Sequence, residues 1–170
     1  MDAAEVEQFA EFVRGRGPAL QRTAYLLTVD WGLAEDLLQT ALAKSCLAWG
    51  RIRHRDPEGY VRAVLANTSA SAWRRRWKGE LPTYELPDRP GPDAWAGADD
   101  RVRLGAALAR LPRRQRAVLV MRFHEDMTET AVAAAMGCTV GTVKSQTAKA
   151  LAKLRADPAP APDDTLTSRS

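Results

Sequence analysis

The stretch TETAVAAAMGCTVGTVKSQTAKALAKLR, residues 128–155, decides the fold of the C-terminal part of the chain. Thr128 can N-cap a short helix, and Gly137, which tolerates positive φ, ends that helix at a sharp turn. Thr139 stands where it can N-cap a second, longer helix. Ala133 lies four residues before Gly137, where a small side chain lets two helices cross closely. Capping, glycine and spacing together predict a helix-turn-helix.

The second helix of such a motif enters the DNA major groove with its N-terminal end first. Its polar side chains are therefore the candidates for contacts to base edges and phosphates. They are Thr142, Lys144, Ser145, Gln146 and Lys149. Three arginines that open an earlier helix, Arg113, Arg114 and Arg116, are candidates for phosphate contacts. The alternative interpretation is a plain helical hairpin with a charged face.

Composition and charge agree with a helical nucleic-acid-binding protein. The chain has 170 residues, 45% of them hydrophobic and only 6% aromatic, and its many Ala, Leu, Arg and Glu residues favour an all-α fold. Residues 101–156 carry 11 basic residues against Glu125, Asp126 and Glu129. Residues 1–78 are also net basic, whereas residues 79–100 carry six carboxylates against Arg89. Two basic blocks around an acidic spacer suggest two surfaces for a polyanion.

Helical periodicity divides the chain into two small helical domains. Helices are expected at residues 4–14, 18–27, 31–49 and 58–78 in the first domain, 1–78, and at about 100–110, 112–124, 128–136 and 139–156 in the second, 101–156. Gly15, Gly17 and Pro18 predict a break after the first helix, and Asp30 is an expected N-cap. The segment 50–57 is an expected basic loop. Residues 79–100 are an expected extended, Pro-rich linker, and residues 157–170 an expected disordered tail.

Other function classes find little support in the sequence. Cys46 and Cys138 are far apart, which favours small buried residues in a reducing cytoplasm. With only His54 and His124 besides, no metal site and no cofactor are expected. No apolar run approaches the roughly 20 residues of a membrane span, and the N-terminus lacks a signal-peptide core. We therefore expect a cytoplasmic protein without membrane insertion.

The sequence resembles the extracytoplasmic-function (ECF) sigma factors over about residues 5–156. LPRRQRAVLVMRF followed by DMTETAVAAAMGCTVGTVKSQTAKALAKLR is similar to region 4 of that family. TAYLLTVDWGLAEDLLQTAL and PEGYVRAVLANTSASAWRRRW resemble helices of its region 2. The phrases LLTVDW and GCTVGTVKS look most like the actinobacterial SigE-like group. The resemblance implies a transcription-initiation factor without catalytic activity, whose partners are promoter DNA and core RNA polymerase, through its beta' clamp helices and beta flap. It also suggests an anti-sigma factor as a partner.

For region 2 the resemblance assigns two kinds of site. The AEDLLQ stretch matches the surface that contacts the clamp helices, which makes Glu35, Asp36 and Gln39 the candidates, while Thr40 replaces the usual Glu. The loop at 51–57 matches the segment that captures a flipped-out base of the −10 element, and the helix after it matches the one that holds the separated strand. The candidates there are Arg51, Arg53, Arg55, Arg62, Asn67, Trp73, Arg74, Arg75 and Arg76.

The helix from Glu58 also makes physical sense as a strand-holding element. Arg62, Ala66, Ser69, Trp73 and Arg76 follow one another at steps of four and three, so they share one face. The run WRRRWK supplies cations for phosphates and rings for stacking on bases. The alternatives are that the three arginines form a solvated helix end and that one of the two tryptophans packs on the core.

For region 4 the resemblance implies recognition of the −35 element as duplex. Lys144, Ser145 and Lys149 match family positions that face DNA, and Gln146 stands where Arg is usual. Three other functions are alternatives: a conventional helix-turn-helix regulator, an enzyme acting on nucleic acid, and a protein-binding adaptor to the polymerase. The regulator lacks a dimerisation helix, the enzyme lacks a cluster of reactive groups, and the adaptor leaves the basic C-terminal domain unexplained.

Overall fold

The computed structural model describes the backbone of residues 1–76 and 98–156, and the side chains of residues 1–71 and 102–156. The predicted tail and nearly all of the predicted linker lie outside these residues, as does Trp77. Every element in the described ranges is a helix, so the predicted all-α class is confirmed. None of these helices is long and apolar enough to cross a membrane.

The described residues form eight α-helices and one π-helical turn. In the N-terminal half they are α1 (Ala3–Thr28), α2 (Trp31–Leu47), α3 (Trp49–Ile52) and α4 (Pro57–Arg76). In the C-terminal half they are α5 (Ala98–Ala109), α6 (Arg113–Leu119), the π-helical turn Val120–His124, α7 (Glu129–Met136) and α8 (Val140–Ala156). The predicted helix 112–124 therefore changes its winding after Leu119.

Helix α1 runs unbroken through Pro18, so the predicted break at Gly15–Pro18 is wrong. Proline removes one backbone hydrogen bond and crowds the preceding turn, which normally interrupts a helix. Here both halves of α1 are held by packing: the ring of Phe12 lies 5.4 Å from that of Trp49, and Leu27 is fully buried. No close contact requires a glycine at position 15 or 17, since a Cβ atom added at either residue would meet nothing within 4 Å among the described residues. Tertiary contacts therefore outweigh the local signal.

Helix α2 begins as predicted, because the Asp30 carboxylate accepts a hydrogen bond of 2.8 Å from the backbone N–H of Leu33. It ends two residues earlier than predicted, at Leu47. The first part of the predicted loop 50–57 is instead the short helix α3, which begins at Trp49. The reason is that Trp49 and Ile52 are both buried and so anchor one helical turn. Only the residues between α3 and α4 are left as a loop.

The helix-turn-helix is confirmed in detail. Thr128 caps α7 by accepting from the N–H of Ala131 at 3.1 Å, and Gly137 ends it with φ of 63°. Thr139 caps α8 by accepting from the N–H of Thr142, also at 3.1 Å. Ala133 is buried where the two helices approach. The local capping chemistry therefore places α8 as the expected recognition helix.

The two halves of the protein pack against each other. Their buried apolar side chains form one continuous cluster, which includes Leu27 and Leu65 from the N-terminal half and Met121 and Val132 from the C-terminal half. Helix α4 contacts both α6 and α7, and α1 contacts α5 and α6. This packing brings the predicted DNA-binding elements of the two halves next to each other.

Candidate nucleic-acid interface

Helix α8 presents an exposed polar face to solvent. Val143 and Ala150 are fully buried and fix the inward side of the helix. Ser145 and Lys149, one turn apart, are exposed on the outward side. Lys144 is 66% exposed at its flank, with its Nζ atom 3.9 Å from a carboxylate oxygen of Glu129. These three predicted side chains are therefore open to solvent.

The other two predicted DNA-contacting residues of α8 are less exposed to solvent. Thr142 is half-buried, and its hydroxyl lies 3.0 Å from that of Thr139 within the N-cap. Gln146 is also half-buried. A side chain engaged in the cap or flanking the core has less reach toward a groove than one on the outward face. Thr142 thus has a structural role in addition to the one predicted.

Arg116 is not placed to contact a phosphate, so that prediction is wrong. It is 8% exposed, and its guanidinium donates to the backbone carbonyls of Leu108 at 2.9 Å, Leu27 at 3.1 Å and Leu111 at 3.2 Å. Burial, and secondly the charge of Arg113, lower the pKa of Arg116. Its positive charge satisfies carbonyl groups of both halves of the protein instead.

Arg113 and Arg114 lie at the edge of a groove between the two halves. The groove has a volume of about 800 Å³ and is also lined by Asn67 of α4 and by Met136 and Gly137 at the end of α7. Both arginines are half-buried. The structure therefore brings one predicted −10 residue, Asn67, together with two predicted −35 residues.

The predicted strand-holding face of α4 is covered by the C-terminal half. Arg62 lies between two carboxylates, with its Nη2 atom 2.6 Å from Glu58 and its Nε atom 2.5 Å from Glu125. Ala66 and Ser69, further along the same face, are buried. Of the α4 candidates whose side chains are described, Asn67, on a different side of the helix, is the exposed one. The side chains of the remaining candidates on α4, Trp73 to Arg76, lie outside the described residues.

The predicted base-capturing loop lies beside a second cavity. This cavity has a volume of about 440 Å³ and is lined by Phe12, Trp49, Arg53 and His54 among others. Arg53 bonds to Glu5 at 3.3 Å, whereas Arg51 and Arg55 are exposed. The Nε1 atom of Trp49 and the Nε atom of Arg53 are buried without a hydrogen-bond partner in the protein. A cavity with aromatic walls is suited to a planar ligand such as a base.

The predicted polymerase contacts lie together on the outer side of α2. Glu35, Asp36 and Gln39 are all exposed, as is Thr40, whose hydroxyl donates back to the carbonyl of Asp36 at 2.9 Å. Leu47 lies on the same side of the helix as Asp36, three turns on, and is 92% exposed. The outer side of α2 therefore carries one exposed apolar side chain in addition to its polar residues.

Sequence reasoning missed four residues of these surfaces. Leu47 could have been found by extending the outward face of α2 in steps of four and three. Trp49 follows helical spacing, which favoured a core residue, and it is buried as such while lining the cavity. Thr23 and Glu125 are 102 positions apart in sequence, and the hydroxyl of the first donates to the carboxylate of the second. No local sequence pattern predicts a hydrogen bond between residues so far apart in the chain.

Comparison with known proteins identifies both halves. Residues 12–79 match the family model "Sigma-70 region 2", and residues 107–156 match "Sigma-70, region 4". The chain is 44% identical to the RNA polymerase sigma-E factor of Streptomyces coelicolor over 152 residues, which are 89% of this chain and 86% of the relative. It is 43% identical to the sigma-E factor of Streptomyces antibioticus, over 91% of this chain and 87% of the relative.

Solved structures agree on the fold. The sigma factor RpoE from Bartonella quintana, crystallised in complex with the anti-sigma factor NepR, superimposes with a TM-score of 0.66 at 22% identity. The alignment covers 87% of this chain and 94% of that one. CnrH, solved in complex with the cytosolic domain of CnrY, gives a TM-score of 0.57 at 20% identity, over 87% of this chain and 85% of CnrH. From two matching regions and close relatives along most of its length, the chain belongs to the ECF family of RNA polymerase sigma factors.

Proposed function

We propose that this sigma factor directs core RNA polymerase to promoters by contacting the DNA with both halves. The observation that carries the proposal is the exposed, N-capped helix α8, whose outward face holds Ser145 and Lys149. Lysine neutralises phosphates and hydrogen-bonds guanine, and serine bonds either groove edge. We assign this face, with Lys144 and with Arg113 and Arg114 at the groove edge, to the −35 duplex. Thr142 and Gln146 flank it.

The −10 element is assigned to residues 1–78, the proposed region 2 domain. The cavity beside the loop is lined by the rings of Phe12 and Trp49, on which a flipped-out base can stack. The exposed guanidinium groups of Arg51 and Arg55 can hold the adjoining phosphates. Strand separation then follows from binding energy, since trapped unpaired bases cannot return to the duplex. The chain itself needs no metal or cofactor for this, and nucleotide addition is left to the polymerase.

Docking on the polymerase is assigned to the outer side of α2. Glu35, Asp36 and Gln39 give it a polar, acidic character, and Leu47 adds an apolar anchor. An apolar centre with a polar rim is the common arrangement of a protein interface. The clamp helices of the polymerase are the partner that the family resemblance implies, with the beta flap as a second contact. An anti-sigma factor that covers the same surfaces is a further partner consistent with them.

Transcription in vitro tests the proposal directly. The protein is added to core RNA polymerase with a library of genomic DNA fragments, and the transcripts are sequenced. We expect initiation from a set of fragments that share two elements at −35 and −10 spacing. Initiation that does not depend on the protein, or none at all, would sink the proposal. Specific binding to duplex DNA as a dimer, without any effect on the polymerase, would instead favour a conventional regulator.

A further inference from the structure

The first turns of α1 hold the side chain of Arg53, which follows α3 in the predicted base-capturing loop. Its Nη2 atom lies 3.3 Å from a carboxylate oxygen of Glu5, and its Nη1 atom donates to the side-chain carbonyl of Gln8 at 3.2 Å. The side chains of Arg53 and Glu5 are only 26% and 18% exposed. Because the guanidinium is rigid and planar, two acceptors on different nitrogens fix both its place and its plane. Helix α1 therefore sets the orientation of Arg53.

Glu5 is itself fixed by the N-terminal cap of α1. Its backbone N–H donates to the carboxylate of Asp2 at 2.8 Å, and its second carboxylate oxygen accepts from the N–H of Asp2 at 3.2 Å, which completes a capping box. One oxygen of Glu5 thus serves the cap and the other serves Arg53. One turn further along α1, the ring of Phe9 packs edge-on against Trp49 at 5.1 Å. The same turns of α1 therefore hold both α3 and the loop residue that follows it.

These contacts border the cavity that the proposed function gives to a flipped-out base, so the inference rests on that function. Gln8 and Arg53 line this cavity, whereas Glu5 does not. A freely moving arginine at this place would attract any phosphate, whatever the base attached to it. A guanidinium whose charge is balanced by a carboxylate and whose plane is fixed instead presents its N–H groups in set directions. Discrimination between base edges requires such fixed directions.

We propose that Glu5 and Gln8 are positioning residues for the recognition of one −10 base, and that they act through Arg53. Glu5 balances the charge of the guanidinium and holds one of its terminal nitrogens, while Gln8 holds the other. The base preference of the cavity then depends on α1 as well as on the loop. Without either contact Arg53 gains rotational freedom, so the choice between bases weakens while stacking on the aromatic rings persists.

Glu5→Gln tests this role with little disturbance of the fold, because glutamine also completes a capping box at this position. The substitution removes the charge that balances Arg53. We expect the preference for the best base over the other three to fall about tenfold at one position of the −10 element, and to stay unchanged at the other positions. Gln8→Ala removes the second contact without a change of charge, so it should reduce the preference at the same position by a smaller factor.

The matched control is Glu7→Gln. Glu7 lies on the same helix and is exposed, and it pairs with Arg14 at 2.8 Å. This control removes the same negative charge from the same helix without touching Arg53. It therefore separates the loss of positioning from the general attraction of a less acidic protein for DNA.

The experiment measures transcription in vitro by core polymerase with the full-length protein. The template is a promoter from the genomic-fragment assay, randomised over its −10 element, and each copy carries a transcribed barcode that identifies its sequence. A reduced preference at one position in Glu5→Gln, but not in Glu7→Gln, supports the proposal. An unchanged preference, or an equal reduction at every position, overturns it.

A double-mutant cycle tests whether Glu5 acts through Arg53. Adding Glu5→Gln to Arg53→Ala should change the base preference no further, and an additional change at that position overturns the proposal. If the wild-type protein directs no initiation at all, the proposed function is wrong and the inference falls with it. Initiation with an unaltered preference in Glu5→Gln overturns the inference alone.

Discussion

Replacing Arg116 by methionine should lower the free energy of unfolding by about 3–5 kcal/mol, because three buried carbonyls lose their donor. The side chain of methionine fills similar space but cannot donate to the three carbonyls that the guanidinium now satisfies, at 2.9, 3.1 and 3.2 Å. A hydrogen bond to a charged group contributes about 1.5–3 kcal/mol. Three such bonds would together contribute about 4.5–9 kcal/mol. The predicted loss is at the lower end because burial of the guanidinium has a cost of its own, which is also why its pKa is lowered.

Equilibrium unfolding in urea, followed by far-UV circular dichroism, measures this loss. Arg114→Met is the matched control, because Arg114 is half-buried on the same helix and makes no hydrogen bond among the described residues. The control should change stability by no more than about 0.5 kcal/mol. A loss below about 1 kcal/mol in Arg116→Met would refute the structural role. If Arg116 instead contacted a phosphate, its removal would leave the free energy of unfolding unchanged. It would then lower the slope of log affinity for DNA against log salt concentration by about 0.9.

Three further substitutions test the other surfaces. Lys149→Ala should lower the slope of log affinity against log salt for a −35 duplex by about 0.9. The control Arg155→Ala, in the last turn of α8, should leave that slope unchanged. Equal slopes for the two variants would remove Lys149 from the interface. Thr139→Ala removes the N-cap bond of α8 and should cost about 1 kcal/mol in urea unfolding, and an unchanged midpoint would contradict that role. Leu47→Ser should weaken binding to core polymerase about tenfold, as measured by biolayer interferometry. The free energy of unfolding should not change, because the side chain is 92% exposed. Unchanged polymerase binding would exclude Leu47 as an anchor.

Local signals in the sequence predicted the parts of the fold that local chemistry controls. Asp30, Thr128 and Thr139 each cap the helix that they were expected to cap, and Gly137 has the positive φ that its turn requires. A cap depends on the few residues next to it, so its geometry can be inferred from spacing alone. The same reasoning failed at Pro18, because the packing of Phe12 and Leu27 on distant residues holds that helix together.

The candidate site was predictable only where side chains point to solvent. Ser145 and Lys149 are exposed as the amphipathic pattern of α8 requires. Arg114 and Arg116 are indistinguishable in sequence, yet one lines a groove and the other binds three buried carbonyls. Their difference depends on how the two halves pack, which periodicity does not encode. Glu125 belongs to the same category, since its partners lie on α1 and α4.

The placement of these surfaces bears on how core polymerase and promoter DNA approach the protein. Asp36 and Leu47 on the outer side of α2, and Lys149 on the outward face of α8, are all exposed. Under the proposed assignment, polymerase docking and −35 binding therefore use separate surfaces on different helices. Leu47→Ser should for this reason weaken polymerase binding and leave binding of the −35 duplex unchanged. A loss of both would contradict the assignment to separate surfaces.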